Sequence, residues 1–184
     1  GPERYGLLSY ALSFVWLFSA FLDLGHREII VRELVKDPEQ RDMILGSAII
    51  LRLFGAVLFG SGVAFGLQFV NNDQQTSLMI GIITLGMTFQ SWELIEYYFQ
   101  SQVQSKYIVW VQTIQLILAS LIKIALIIWK APLIWFAAVF SLEYIILAAL
   151  FLLMYNWQVG RFPIRHCNLK YARQLLKNSF PLLL

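Results

Sequence analysis

Five stretches of this chain are each long and apolar enough to cross a bilayer, which takes roughly 20 mostly apolar residues in a helix. They occupy residues 5–24, 43–70, 78–100, 107–129 and 132–157. A sixth begins near Leu175 and is cut off in the run Phe180-Pro181-Leu182-Leu183-Leu184. Hydrocarbon offers no partners to backbone N–H and C=O groups, so an open-chain span must be helical. A barrel strand needs alternating segments of about ten residues, and these runs are too long and too uniform for that. The fold class is therefore all-α integral membrane, a polytopic helical bundle.

Composition agrees. Hydrophobic residues make up 59% of the 184 positions and charged residues 14%, with a mean hydropathy of +0.66. Soluble domains carry about 25% charged residues, and one globule of this size cannot hide so much apolar surface in its own core. A soluble enzyme is excluded, as is a disordered chain, which needs low hydropathy and high charge. The net charge of +3 reads as loop charge that sets topology, so no nucleic-acid partner is expected. Cys167 is the lone cysteine, and His26 and His166 lie far apart. No internal disulfide, metal site or cofactor is expected.

The connections are short. Asp37-Pro38-Glu39-Gln40 reads as a helix start, with a capping acid and proline at the first helical position. Residues 70–75 form a polar turn, and Lys130-Ala131-Pro132 a tight break. Residues 159–178 read as an amphipathic connector at the interface, leading into the truncated start of the next span at 179–184. Lysine and arginine placement orients the whole. Arg27, Arg32, Lys36 and Arg41, then Lys106, then Arg161, Arg165, Lys170, Arg173 and Lys177 fall on one side. The opposite side has Arg4 and Lys130. Loops 25–42, 101–106 and 158–178 are thus expected in the cytoplasm and residue 1 outside. A chain that lacks an initiator Met and stops inside an apolar run reads as a fragment, with one helix missing before Gly1 and more chain after Leu184. No secretory signal peptide is visible.

Ionisable groups within spans are costly and usually face a bundle interior or a wet cavity. Here they are Arg52, Glu93, Glu96, Lys123 and Glu143. At ~1.5 Å rise per residue, Arg52, Glu93 and Glu96 lie about 14, 10 and 6 Å in from the same end, so Arg52 can pair with either acid. Lys123 and Glu143 differ in depth by about 7 Å on the same scale, a gap that long side chains bridge. Ser9, Ser13, Ala20 and Asp23 share a stripe with Trp16 on the first span. Gln112, Gln115, Ala119 and Lys123 do so on the fourth. Gly62 and Gly66 on the small-residue-rich second span make a GxxxG spacing that permits close helix contact. Two readings of the charges compete. They are structural ion pairs between helices, or they line a hydrophilic cavity for a polar substrate, with a carboxylate binding a coupling proton. Trp110, Trp129, Trp135 and Trp157 read as interfacial belt residues. Trp92 reads as packing, with stacking on a sugar as the alternative. The basic segment after span five also suits anionic lipid headgroups.

Several stretches resemble the polysaccharide (Wzx-type, O-antigen) flippases of the multidrug/oligosaccharidyl-lipid/polysaccharide exporter superfamily. These are residues 1–13 (Gly1-Pro2-Glu3-Arg4-Tyr5 through Ser13), Val31-Arg32-Glu33-Leu34-Val35 with Asp37-Pro38-Glu39, Ile44-Leu45-Gly46-Ser47-Ala48 leading to Leu51-Arg52-Leu53, and Leu175-Leu176-Lys177-Asn178-Ser179-Phe180-Pro181. The match is strongest in the first 60 residues; spans three to five match mainly in hydropathy. Gly25-His26-Arg27-Glu28 is more charged than that pattern. The resemblance implies a MATE-like fold with two six-helix lobes, of which residues 1–158 would be most of the N-terminal lobe, helices two to six. It implies alternating-access flipping of undecaprenyl-diphosphate-linked oligosaccharide across the bacterial cytoplasmic membrane, with no enzymatic chemistry. Arg52 and Lys123 become candidates for the diphosphate, with Gln112, Gln115 and Trp92 for substrate contacts. Asp23, Glu93, Glu96 and Glu143 become candidates for ion coupling or ion pairs. The implied partners are the lipid-linked oligosaccharide, membrane lipids, and the polysaccharide polymerase and chain-length proteins. A related multidrug or cation antiporter is the nearest alternative. A membrane-embedded glycan transferase or ligase is less favoured, because no sizeable loop is present to carry its chemistry.

Overall fold

The computed structural model describes residues 2–23, 27–70, 73–163 and 168–179. Every regular element among them is helical: α1 (Pro2–Leu17), α2 (Ala20–Asp23), α3 (Arg27–Lys36), α4 (Arg41–Leu67), α5 (Gln74–Thr88), α6 (Leu94–Ser101), α7 (Ser105–Ile128), α8 (Leu133–Gln158) and α9 (Leu169–Ser179). Five stretches, Tyr5–Lys36, Pro38–Leu67, Gln74–Ser101, Ser105–Ile128 and Leu133–Gln158, are long and apolar enough to cross a membrane. Leu116, Ile117, Ile127 and Leu153 among many other large apolar side chains are exposed. Such a surface is soluble only in lipid, and the chain is an all-α polytopic membrane bundle.

Local chemistry accounts for the ends. Asp73 caps α5, its Oδ1 accepting from the Thr76 N–H at 3.3 Å. Pro38 opens a short 3-10 turn (Pro38–Gln40) ahead of α4, but Asp37 makes no side-chain cap there. Pro132 sits extended before α8, and Lys130 after α7 takes a left-handed φ of 50°. The tryptophans expected at the interfaces, Trp110, Trp129, Trp135 and Trp157, are all exposed.

Besides the missing Asp37 cap, the structure departs from the sequence reading in two places. Residues 27–36, read as loop, form α3, which buries Ile29, Ile30 and Leu34; their near-helical spacing makes one apolar face. The third span is not one helix. A 3-10 segment, Phe89–Glu93, separates α5 from α6. The amphipathic pattern of the connector after α8 is met by a short helix, α9, seated by Ala172 and Leu175 on Ile29 and Leu51. Asn168 begins α9, its Oδ1 accepting from the Tyr171 N–H at 3.3 Å and its own N–H donating to Ser47 Oγ at 3.2 Å. The predicted continuation into residues 180–184 lies outside the described residues, as do His26, His166 and Cys167.

The interior divides into two apolar cores. One, at the end rich in basic residues, joins α3, the start of α4, α6, the start of α7 and the end of α8 through Ile30, Leu45, Leu94, Phe99, Val111 and Phe151. The other, at the opposite end, joins α1, the end of α4, α5 and the start of α8 through Val15, Phe59, Met79, Ile83 and Ala137. Two close helix crossings hold the second core. A Cβ on Gly66 would lie 2.8 Å from Phe18 Cζ, and one on Gly62 3.0 Å from Phe18 Cδ1. The GxxxG pair thus seats a phenylalanine rather than a bare helix backbone. The tighter crossing is Gly86 on α5 against Ser141 on α8, where a Cβ would stand 2.3 Å from Ser141 Cα. Ser141 Oγ also donates to the Ile82 carbonyl at 2.6 Å, tying the two helices together.

Candidate functional site

The charged side chains of the spans fall into three groups at and between the two cores. Near the basic end, the Glu96 carboxylate joins three helices. Arg27 Nη2 from α3 stands 3.1 Å from Oε1, and Gln112 Nε2 from α7 donates to Oε2 at 3.3 Å. The sequence reading leaves Glu93 and Glu96 both open as partners of Arg52 and places Arg27 in a loop. With α3 folded into the bundle, Arg27 becomes the partner, and its guanidinium also sits 5.4 Å from the Tyr97 ring centroid. A cleft of about 250 Å³ lined by Arg27, Glu28, Val31, Arg32 and Gln100 lies alongside.

Arg52 is enclosed, with only 1% of its surface exposed. Its Nη1 donates to the Gln90 carbonyl at 3.5 Å, and its Nη2 donates to the Tyr97 hydroxyl. Its guanidinium lies 5.0 Å from the Tyr97 ring centroid, and its own carbonyl accepts from Ser91 Oγ at 3.3 Å. Arg52 therefore grips the 3-10 segment of the third span. Glu93 ends that segment, half-buried.

The third group is Lys123 on α7 and Glu143 on α8, whose Nζ and Oε1 stand 2.5 Å apart. Their depth offset is bridged, as the side-chain lengths allow. Lys123 also sits 4.5 Å from the Phe140 ring centroid, a cation–π contact that offsets part of its desolvation. Both partners keep partial exposure, 35% for the lysine side chain and 19% for the glutamate.

Gln112 and Gln115 line a pocket of about 400 Å³ with Val109, Thr113, Leu116 and Leu147, along the stripe that ends at Lys123. From Gln112 to Lys123 is roughly 16 Å of helix rise. The site residues on α6, α7 and α8 are therefore one polar row. Trp92 lies apart from it, packed edge-on against Phe162 with ring centroids 5.6 Å apart. Asp23 closes α2; of the other members of its stripe, Ser13, Trp16 and Ala20 are exposed and Ser9 is half-buried. No cluster of His, Cys, Asp and Glu that would hold a metal occurs among the described residues.

Arg27 and Tyr97 are the residues that sequence reasoning missed. The signal for Arg27 was present: apolar Ile30 and Leu34 follow it at helical spacing. Tyr97 carried no signal apart from its neighbour Glu96.

No curated protein and no solved structure matches the chain. The family comparison does match, along the full length of the bundle and over every residue of the polar row. Residues 1–184 fit the family described as polysaccharide biosynthesis protein, and the chain belongs to that family, the polysaccharide flippases of the multidrug/oligosaccharidyl-lipid/polysaccharide exporter superfamily.

Proposed function

We propose that this chain is part of a transporter, not an enzyme, that flips undecaprenyl-diphosphate-linked oligosaccharide across the bacterial cytoplasmic membrane by alternating access. Residues 1–158 are then most of an N-terminal lobe, with the end bearing Arg27, Lys106 and Arg161 in the cytoplasm. The observation that carries this reading is the polar row on α6, α7 and α8. Its charges are neutralised in pairs, so they are tolerable in the membrane, yet Lys123, Glu143 and Gln112 keep exposed surface.

A lipid-linked diphosphate would compete with Glu143 for Lys123, while Gln112 and Gln115 would offer amide hydrogen bonds to sugar hydroxyls. Releasing Glu143 or Glu96 from its cation would favour protonation of that carboxylate, which couples cargo to protons; Glu93 and Asp23 are further candidates for that step. Trp92 is assigned to packing. The polysaccharide polymerase and chain-length proteins would receive the flipped product.

The test is export of cell-surface polysaccharide in cells carrying Lys123→Ala, Glu143→Gln or the exchanged pair Lys123→Glu with Glu143→Lys. Loss of export at unchanged membrane levels in both single variants, not restored by the exchanged pair, is the expected result. Normal export in the single variants would refute the assignment. Restoration by the exchange would mark the pair as structural.

A further inference from the structure

The break in the third span, Phe89-Gln90-Ser91-Trp92-Glu93, contains neither proline nor glycine, two usual origins of a helix break. Just before it, Thr88 Oγ1 donates back to the Leu85 carbonyl at 2.6 Å, a local bond of the kind that bends helices. A 3-10 stretch inside a span has poorer hydrogen-bond geometry than an α-helix and often marks a hinge. Something outside the segment holds it as well. Arg52 does so from α4: its guanidinium takes the Gln90 carbonyl and the Tyr97 hydroxyl, one before and one after the end of the segment, and its carbonyl takes Ser91 Oγ. The break also falls between the two apolar cores, so α5 belongs to one packed body and α6 to the other. On the α5 side the span is pinned at Gly86 to Ser141; bending at Phe89–Glu93 leaves that crossing intact.

We infer that Arg52 is a positioning residue that holds the third span in its bent state, and that its release lets Phe89–Glu93 revert to α-helix and turn α6 against α5. The geometry of that switch follows from the two helix types. Five residues passing from about 2.0 to 1.5 Å rise shorten the span by roughly 2.5 Å, and passing from about 120° to 100° per residue they rotate α6 by roughly 100°. Such a rotation carries Glu96 away from Arg27 and Gln112, so the bent span and the Arg27–Glu96–Gln112 junction belong to the same state. This goes beyond the transport reading and does not depend on the cargo.

The test is pulsed electron–electron spin resonance on the intact protein in proteoliposomes, with no substrate added. With Cys167 replaced by serine throughout, so that only introduced thiols are labelled, one label pair, Leu78→Cys with Gln100→Cys, spans the break. The other, Val109→Cys with Ile127→Cys, lies along unbroken α7. Arg52→Ala is expected to give the first pair a second distance population displaced by at least ~2.5 Å, the helix shortening worked above. The second pair should stay as in the wild type, and Arg52→Lys, which keeps one cationic donor, should return part of the population. If Arg52→Ala does not reach the membrane, the double variant Ser91→Ala with Tyr97→Phe removes two of the clamp's bonds and is read in the same way. An unchanged distribution for the first pair overturns the inference, and so does broadening of both pairs together. Because no cargo enters the measurement, that failure leaves the flippase assignment standing, and normal export in the Lys123 and Glu143 variants leaves the hinge standing.

Discussion

Replacing Gly86 with alanine is the sharpest probe of how α5 and α8 are joined. A Cβ at that position would stand 2.3 Å from Ser141 Cα, 2.4 Å from its Cβ and 2.6 Å from its Oγ. Carbon atoms pack at about 3.5–4.0 Å, so α5 and α8 must separate locally by about 1.2–1.7 Å. The nearest obstacle is backbone, so no rotamer change relieves it. Overpacking of this kind costs about 1–3 kcal/mol. Stretching the Ser141 Oγ bond to the Ile82 carbonyl (2.6 Å) adds about 0.6 kcal/mol, the average for interhelical hydrogen bonds in membranes. The expected loss is then about 2–4 kcal/mol, measured by reversible unfolding in mixed micelles. Gly66→Ala supplies the contrast. Its nearest neighbour is Phe18 Cζ at 2.8 Å, the end of a side chain that can swing, so a loss of about 1 kcal/mol or less is expected. Ser141→Gly in the Gly86→Ala background removes the side-chain clashes but leaves the backbone of residue 141 in the way, so it should restore only part of the loss. A Gly86→Ala protein within about 0.5 kcal/mol of wild type, the usual size of a neutral substitution, would refute the tight crossing.

Two further outcomes follow from residues at the basic end. Val103 holds a left-handed φ of 57° while 88% exposed; strain of that kind costs about 1–3 kcal/mol. Val103→Gly should therefore stabilise the protein towards unfolding in micelles, by a net of up to about 2.5 kcal/mol after glycine's entropy is subtracted. Tyr171 is held above its ordinary pKa of 10.0, by burial first and then by the charge and hydrogen bond of Glu33. A raised pKa means that α9 docking is fully present below pH 10 and is lost as pH rises through the folded value. Tryptic cleavage after Arg173 should accelerate in that alkaline window, and Tyr171→Phe, which cannot ionise, should abolish the acceleration.

The spans were legible in the sequence because membrane hydropathy is a one-dimensional signal: twenty apolar residues announce themselves whatever they later touch. The Lys123–Glu143 pair was legible as well, since two opposite charges on adjacent antiparallel helices at similar depth have few other partners. What the sequence did not yield is tertiary in origin. Phe89–Glu93 reads as continuous helix because its break is imposed by a side chain on α4. Gly86 looks like any glycine of an apolar run until Ser141 is set against it. Arg27 was hidden by its neighbours, since Arg27, Glu28, Arg32, Glu33 and Lys36 make the segment look like loop while Ile29, Ile30 and Leu34 give it a buried face. Reading that segment as loop left out Arg27 as a partner for Glu96.

Arg52 and the break occupy the same zone of the bundle. A charge inside a span costs about 2.5–3.5 kcal/mol by insertion scales, and Arg52 offsets that cost by donating to the Gln90 carbonyl of the 3-10 segment and to the Tyr97 hydroxyl. Two apolar cores close-packed on either side resist deformation internally. The polar zone between them is held by a few directional bonds that can be exchanged for others, including those of an anionic cargo. A bundle built this way deforms preferentially at the zone that Arg52 bridges.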